Sequence, residues 1–358
     1  MFLALTVIAV VPKVYAWQDG SWESKAPLPQ KQIGSINAVA VNSKIYFFGS
    51  YATYMYEPVA ENWTQKTTMP TSRISYAIAA VDNKVYVIGG EEYRSGQANL
   101  LSAVNEVYDV ATDTWETKQP LPQPRTSMDA NVVDGKIHVI GGDTMNTSNL
   151  HEVYDPATDT WTNRTLAYNL KSYISCVTDS KIYVVSAASN LFIYEAKNDS
   201  WSTGASLPKI YSEMGIFFDS PSIAATTGSY APKRIFVMGG RYMPEFADTH
   251  AVNFTYFYDP ETEKWSSAAD MPTARFGFAV AVLDDKIYAI GGGVSSQIIT
   301  GTDTDVVEVY TPFGYGTVQP EPEPEQEPFP TAAVIVASGA AVTLLGVGSL
   351  VYLKKRKS

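Results

Sequence analysis

Six stretches of the chain read alike: Lys44-IYFFGS, Lys84-VYVIGG, Lys136-IHVIGG, Lys181-IYVVSA, Arg234-IFVMGG and Lys286-IYAIGG. Each sets a basic residue before an apolar or aromatic run, and four of the six end on a glycine pair. Downstream of each stands a tyrosine: Tyr56, Tyr108, Tyr154, Tyr194, Tyr258 and Tyr310. The first five are followed seven residues later by Trp63, Trp115, Trp161, Trp201 and Trp265. The linkers between them, such as Asp155-PATDT-Trp161, are rich in Pro, Asp and Thr, as a tight turn between strands requires. Glycine pairs at 89, 141, 239 and 291 set a period of about 50 residues, which marks a repeat architecture.

These residues resemble the kelch motif, a glycine pair closing one strand followed by a spaced tyrosine and tryptophan. The resemblance covers about residues 20–312. It implies that each repeat is a four-stranded antiparallel blade, and hence an all-β, six-bladed kelch β-propeller. The last repeat supplies a check, because Tyr310 is followed by Thr311-PFGYG and no tryptophan. Trp22 near the N-terminus is followed by Leu28-Pro29, just as Met69-Pro70, Leu121-Pro122, Leu207-Pro208 and Met271-Pro272 follow their tryptophans. Trp22 is therefore expected to complete the last blade, closing the ring and removing two sheet edges. Apolar inner strands such as Ala77-IAAV fit sheets packed face to face. Tyr and Trp would fill the wider wedge at larger radius.

The two ends read as processing and anchoring segments. Residues 1–16 are a short apolar run ending in Val14-Tyr15-Ala16, which suits a signal peptide cleaved before Trp17. Residues 331–353 hold no charge and are long enough, at 1.5 Å per residue, for a transmembrane helix. The basic tail 354–358 then places the C-terminus in the cytoplasm. Between the propeller, 17–313, and the span lies a Pro/Glu-rich segment, 314–330, expected to extend as a stalk. Stalk, span and tail together look like the C-terminal anchors of archaeal surface proteins. The expected location is the cell membrane, single-pass, with the propeller outside.

Composition narrows the function classes. Without Lys13 and the four C-terminal basic residues, 21 Lys+Arg face 37 Asp+Glu, a net charge of −16. Nucleic-acid binding, which needs clustered basic charge, is excluded on that ground. One cysteine, Cys176, rules out a disulfide framework and reads as a buried, inert thiol. The three histidines form no metal-ligand pattern, and His138 falls mid-strand in a position held elsewhere by Tyr. This separates the chain from the copper-radical galactose oxidases, which are similar in their kelch propeller but need a Cys–Tyr crosslink and two His ligands. Asp303 and Asp305 lack the EF-hand pattern. No cofactor is expected.

Binding is expected on the face where each second strand ends in its glycine pair, because the loops there vary in length. Variable loops on a rigid scaffold are where recognition usually resides. Arg73, Arg125 and Arg275 each stand eleven residues before the basic residue of their repeat, and are expected to converge on the axis as a cationic mouth. Glu91, Glu92, Arg94, Asp143, Arg241 and Tyr242 follow glycine pairs and join the candidate ligand-binding set. Asn62, Asn146, Asn163, Asn198 and Asn253 open N-x-S/T triplets and are candidate glycosylation sites. The expected function is a cell-surface binding or adhesion module for a protein or glycan, not an enzyme. The alternative is a carbohydrate isomerase or lyase on an acidic sugar, since the chain is also similar to the kelch-type sialic-acid mutarotases.

Overall fold

The computed structural model describes residues 20–317, apart from 32–35, 51, 93–97, 145–149, 171, 209–216, 244–249 and 295–302. The expected leader, the stalk beyond 317, the span and the tail lie outside the described residues, as do Arg94 and Asn146. Regular structure among the described residues is all strand, and none of it is a helix long and apolar enough to cross a membrane.

The strands form six four-stranded antiparallel sheets. The first holds Asn37–Val41, Lys44–Phe48, Thr53–Glu57 and Asn62–Lys66; the second holds Ala77–Val81, Lys84–Ile88, Asn105–Asp109 and Thr114–Lys118. Asp129–Val133, Lys136–Ile140, His151–Asp155 and Thr160–Asn163 make the third, and Tyr173–Thr178, Lys181–Ser186, Leu191–Glu195 and Ser200–Gly204 the fourth. The fifth comprises Ser222–Ala225, Ile235–Met238, Thr255–Asp259 and Lys264–Ser267. In the sixth, Ala279–Leu283, Lys286–Ile290 and Val307–Thr311 are completed by the N-terminal strand Ser21–Lys25. The first strands touch in cyclic order, the sixth sheet's meeting the first sheet's.

Local chemistry explains the hairpins. The turn pairs Asn42-Ser43, Asp134-Gly135, Asp179-Ser180 and Asp284-Asp285 all have positive φ, the backbone that a two-residue turn between twisted strands demands. Gly89 and Gly90 also have positive φ, and a Cβ on Gly90 would stand 2.5 Å from the Ile74 carbonyl. That close approach is why the second strand can end where it does. The Gly90 N–H donates to the carbonyl of Arg125 in the next sheet; Gly142 and Gly240 do the same to Leu170 and Arg275.

The core lies between sheets, in six apolar clusters that each join two neighbours. At larger radius every Tyr–Trp pair stands directly across two strands, Trp22 opposite Tyr310 included. Their ring centroids are 4.8 to 5.3 Å apart. Each indole N–H then reaches the preceding sheet. Trp63 donates to Ala26, Trp115 to Thr67, Trp161 to Gln119, Trp201 to Thr165, Trp265 to Ala205 and Trp22 to Ala269, all at 2.7–3.0 Å.

The chain leaves the sixth sheet on the face opposite the glycine pairs. There Gly316 N–H donates to Tyr230, Tyr315 stacks on Tyr230, and Arg234 donates to the Phe313 carbonyl. Asp285 holds the underlying loop by accepting the N–H groups of Thr227, Tyr230 and Ala231.

Removing the Trp22 ring should loosen the seam on one side and the N-terminal strand on the other. Trp22→Ala is expected to cost roughly 3 kcal/mol, the range for deleting a packed aromatic. Trp22→Phe, which keeps the ring and loses one hydrogen bond, should cost about 1 kcal/mol. Urea unfolding checks both; equal effects would mean that packing at this seam contributes nothing.

Candidate functional site

The six first strands enclose a channel with a cavity of about 840 Å³. At its glycine-pair end Ser75, Ser127, Ser172, Ser220 and Gly277 stand one per sheet, just before the first strands. Ser75, Ser127 and Ser220 have the left-handed backbone that is uncommon outside glycine. Neighbours are tied together, Ser127 N–H to the Ser75 carbonyl and Gly277 N–H to the Ser220 carbonyl, at 2.9 and 3.0 Å. Hydroxyls thus rim the mouth.

Below the rim, Asp129 is the one carboxylate among the described lining residues, which include no Lys, Arg or His. Its Oδ2 accepts from Ser175 at 2.9 Å, and Ser175 in turn accepts from Asn131 at 2.8 Å. The Asp129 N–H donates to the Tyr173 hydroxyl, which donates to the Ile140 carbonyl. Burial pushes the Asp129 carboxyl up to about 6, against the pull of the Ser175 hydrogen bonds. Sequence reasoning passed over Asp129; the visible signal was a polar residue opening an otherwise apolar inner strand.

The expected cationic mouth is not there. Arg73, Arg125 and Arg275 are 0% exposed and turn away from the channel into their own sheets. Arg73 donates to the carbonyls of Gly89 and Val104 at 2.9 and 2.8 Å and pairs with Glu106 at 2.8 Å. Arg275 repeats this with Gly291, Val306 and Glu308, the last at 2.6 Å, and Arg125 pairs with Glu152. Carbonyls left open where each glycine pair diverts the strand need donors, and the buried guanidinium supplies several at once. A readable signal existed. Glu106, Glu152 and Glu308 stand two residues before the tyrosine in the three arginine-bearing repeats, where the others carry Tyr54, Phe192 and Tyr256.

Other candidates do lie on the glycine-pair face. Glu91–Glu92 forms a small sheet with Arg73–Ile74 and Leu100–Leu101, and both glutamates are half-buried. Ser102 donates to Glu92 and Asn99 to Glu91. Asp143 is exposed and bridges Thr126 through the backbone. Arg241 and Tyr242 belong to a second three-stranded sheet, Phe217–Asp219, Arg241–Met243 and His250–Ala251, with the Arg241 guanidinium 5.3 Å over the Phe276 ring. The two small sheets rise from the second and fifth sheets, three places apart in the ring of six. Among the glycosylation candidates, Asn62 and Asn163 are exposed on outer strands; Asn198 donates to Glu195 and Asn253 to the Met271 carbonyl.

His138 is buried, as its position implies, but it is not alone: its Nδ1 lies 3.0 Å from His151 Nε2. His151 Nδ1 reaches the Thr165 carbonyl at 3.2 Å. Donation from His151 to that carbonyl leaves its Nε2 to accept from His138, so both rings fit the neutral state. Burial lowers His138 to about 3 and His151 to about 4. Burial also raises the Cys176 thiol, which keeps it protonated and inert. The described residues contain no cluster of three metal-ligating side chains.

Losing one partner of a buried pair leaves the other charge uncompensated. Arg73→Met should therefore cost roughly 3–5 kcal/mol in urea unfolding, and adding Glu106→Leu should restore much of it. A single mutant as stable as wild type would return Arg73 to the candidate ligand set. For the histidines the sign follows from their lowered values. The unfolded chain takes up protons near 6.5 while the native pair stays neutral, so stability should fall as pH drops from about 6.5 toward 4. His138→Tyr should flatten that fall, measured as urea midpoints at pH 7.5, 6 and 5.

The family model described as the KLHDC2/KLHL20/DRC7 Kelch-repeats domain matches residues 75–292, and a Kelch motif model matches 274–312. The chain is 26% identical over 321 residues to Kelch-like protein terF of Aspergillus terreus, covering 83% of this chain and 57% of that protein. It is 26% identical over 271 residues to Kelch-like protein 26 of Danio rerio, covering 72% of this chain and 40% of that one. It therefore spans only about half the length of these relatives. The structure of YjhT superposes with a TM-score of 0.68 at 15% identity, covering 79% of this chain and 95% of that one, a likeness of fold. The repeats, their register and the match over 75–292 make this chain a member of the kelch-repeat family.

Proposed function

We propose that this chain is a membrane-anchored, six-bladed kelch propeller that binds a protein partner on its glycine-pair face. The observation carrying the proposal is the pair of three-stranded annexes on the second and fifth blades, set across the channel mouth from one another. Loops held as small sheets on a closed ring present a fixed surface, which lowers the ordering cost of binding. Charge supports a basic partner. The loops that follow the glycine pairs carry seven acidic residues and two arginines. Complementary charge speeds encounter and excludes acidic competitors.

The leader 1–16, stalk 314–330, span 331–353 and tail 354–358 complete the proposal as a single-pass surface protein. Residues 312–317 run along the face opposite the glycine pairs. Occupancy of Asn62 and Asn163 by glycan belongs to the same proposal.

One observation favours a second reading, catalysis on an acidic sugar. Asp129, with its carboxyl near 6 in a polar cavity, has the poise of an acid–base group. That reading must find another cation for the sugar carboxylate, since Arg73, Arg125 and Arg275 are sequestered.

The deciding experiment is binding of the full chain to arrays of basic, neutral and acidic peptides and of glycans, beside an assay for turnover of sialic and uronic acids. Basic peptides should bind, with affinity falling in salt and at least tenfold in the Glu91→Lys/Glu92→Lys/Asp143→Lys variant. Turnover, or binding confined to glycans, would replace the proposal.

A further inference from the structure

The channel carries an imbalance that the propeller scaffold does not require. Its walls mix polar groups with the isoleucines Ile36, Ile74, Ile78, Ile174 and Ile223, and serines stand at its rim. Among the described residues, one carboxylate, Asp129, lines it, and none of the lining side chains is basic. Among the described residues its side-chain support is the Ser175 hydroxyl, itself held by Asn131. A half-buried carboxylate without a cation is costly, and a bound cation would relieve that cost. A divalent metal is a poor match, since one carboxylate and a few hydroxyls fall short of its oxygen shell.

We infer that the channel mouth receives a lysine side chain of the protein partner, its ammonium on Asp129 and its methylenes against the isoleucine walls. This rests on the protein-binding proposal and names the group that such a partner inserts. The shape fits. Asp129 stands two residues inside Ser127 on the rim, roughly 7 Å along the strand, within reach of one extended side chain. The rim hydroxyls of Ser75, Ser127, Ser172 and Ser220 offer acceptors to an ammonium on its way in. Lysine is suited to such a slot because its long stem packs on apolar surface while its head stays paired. The acidic loops above the mouth draw the same charge inward.

The probe is Nα-acetyl-lysine methylamide, titrated against the full chain in detergent and followed by saturation-transfer NMR. Its uncharged counterpart is Nα-acetyl-norleucine methylamide, and glucosamine carries the same cation on a sugar. The lysine probe should bind saturably and at least tenfold more tightly than the norleucine one. Asp129→Asn, which keeps the side-chain size and can still accept from Ser175, should erase that preference. Equal binding of the two amides, an undiminished preference in Asp129→Asn, or binding of glucosamine alone would overturn the inference. Should Asp129→Asn fail to fold, the comparison of the two amides on the wild-type chain decides. Basic peptides that still respond to reversal of Glu91, Glu92 and Asp143 while the lysine probe does not bind would sink this inference and leave the protein-binding proposal standing.

Discussion

Each sheet of this ring is held to its predecessor by one indole hydrogen bond, and the six bonds form a cycle. The acceptor is always a carbonyl just past the outer strand of the preceding sheet, so the bond fixes where one repeat ends and the next begins. Three sheets hold the same residue through its N–H as well. Asp113, Asp159 and Asp199 accept the N–H groups of Thr67, Gln119 and Thr165, whose carbonyls accept from Trp115, Trp161 and Trp201. Those same carboxylates take the hydroxyls of Tyr108, Tyr154 and Tyr194. At the closure the device changes. Lys25 of the N-terminal strand pairs with Glu61 of the first sheet at 2.7 Å, and Gly20 leaves room for the Tyr310 hydroxyl. Each bond contributes on the order of 1 kcal/mol, yet breaking any of them opens an apolar seam, so the ring resists as a unit.

The buried Arg–Glu pairs follow a different logic. They occur in the second, third and sixth sheets, whereas the first, fourth and fifth place Tyr54, Phe192 and Tyr256 where the glutamate would be. Replacing a buried ion pair by packed apolar groups is often neutral for stability, and the coexistence of both solutions in one ring agrees with that. Once the guanidiniums are drawn into the sheets, the charge of the glycine-pair face is set by its loops, and those are acidic.

Much of this was legible. The Tyr–Trp spacing of seven residues is the register of a hairpin, and an unpaired Tyr310 beside an unpaired Trp22 located the seam that the structure closes. What could not be read was direction. Equivalent positions in a ring converge on the axis or diverge from it with identical sequence spacing, so the regularity of Arg73, Arg125 and Arg275 was compatible with either. Only the partner settles it, and the companion glutamates lie 27 to 33 residues away, in another strand. His138 and His151 were hidden for the same reason. They meet through strand register, not through any local motif.

Those histidines and Asp129 share one location, the seam between the third and fourth sheets. In the other sheets the residues equivalent to Asp129 include Ala77 and Ala279, which join apolar clusters with the next sheet. The cluster at the third–fourth seam contains neither Asp129 nor Asn131, and at its outer end two imidazoles stand against Tyr194 and Trp201. The fourth repeat is also the one that lacks both glycines, with Ser186-Ala187 in place of the pair. Polar groups at the inner end of a packed seam reduce its stability, and such local departures from packing logic gather where a protein acts. A closed ring can tolerate one weak seam because the neighbours on both sides hold it shut. The same closure that made the fold readable thus gives this seam its freedom to carry a carboxylate, Asp129, at the channel wall.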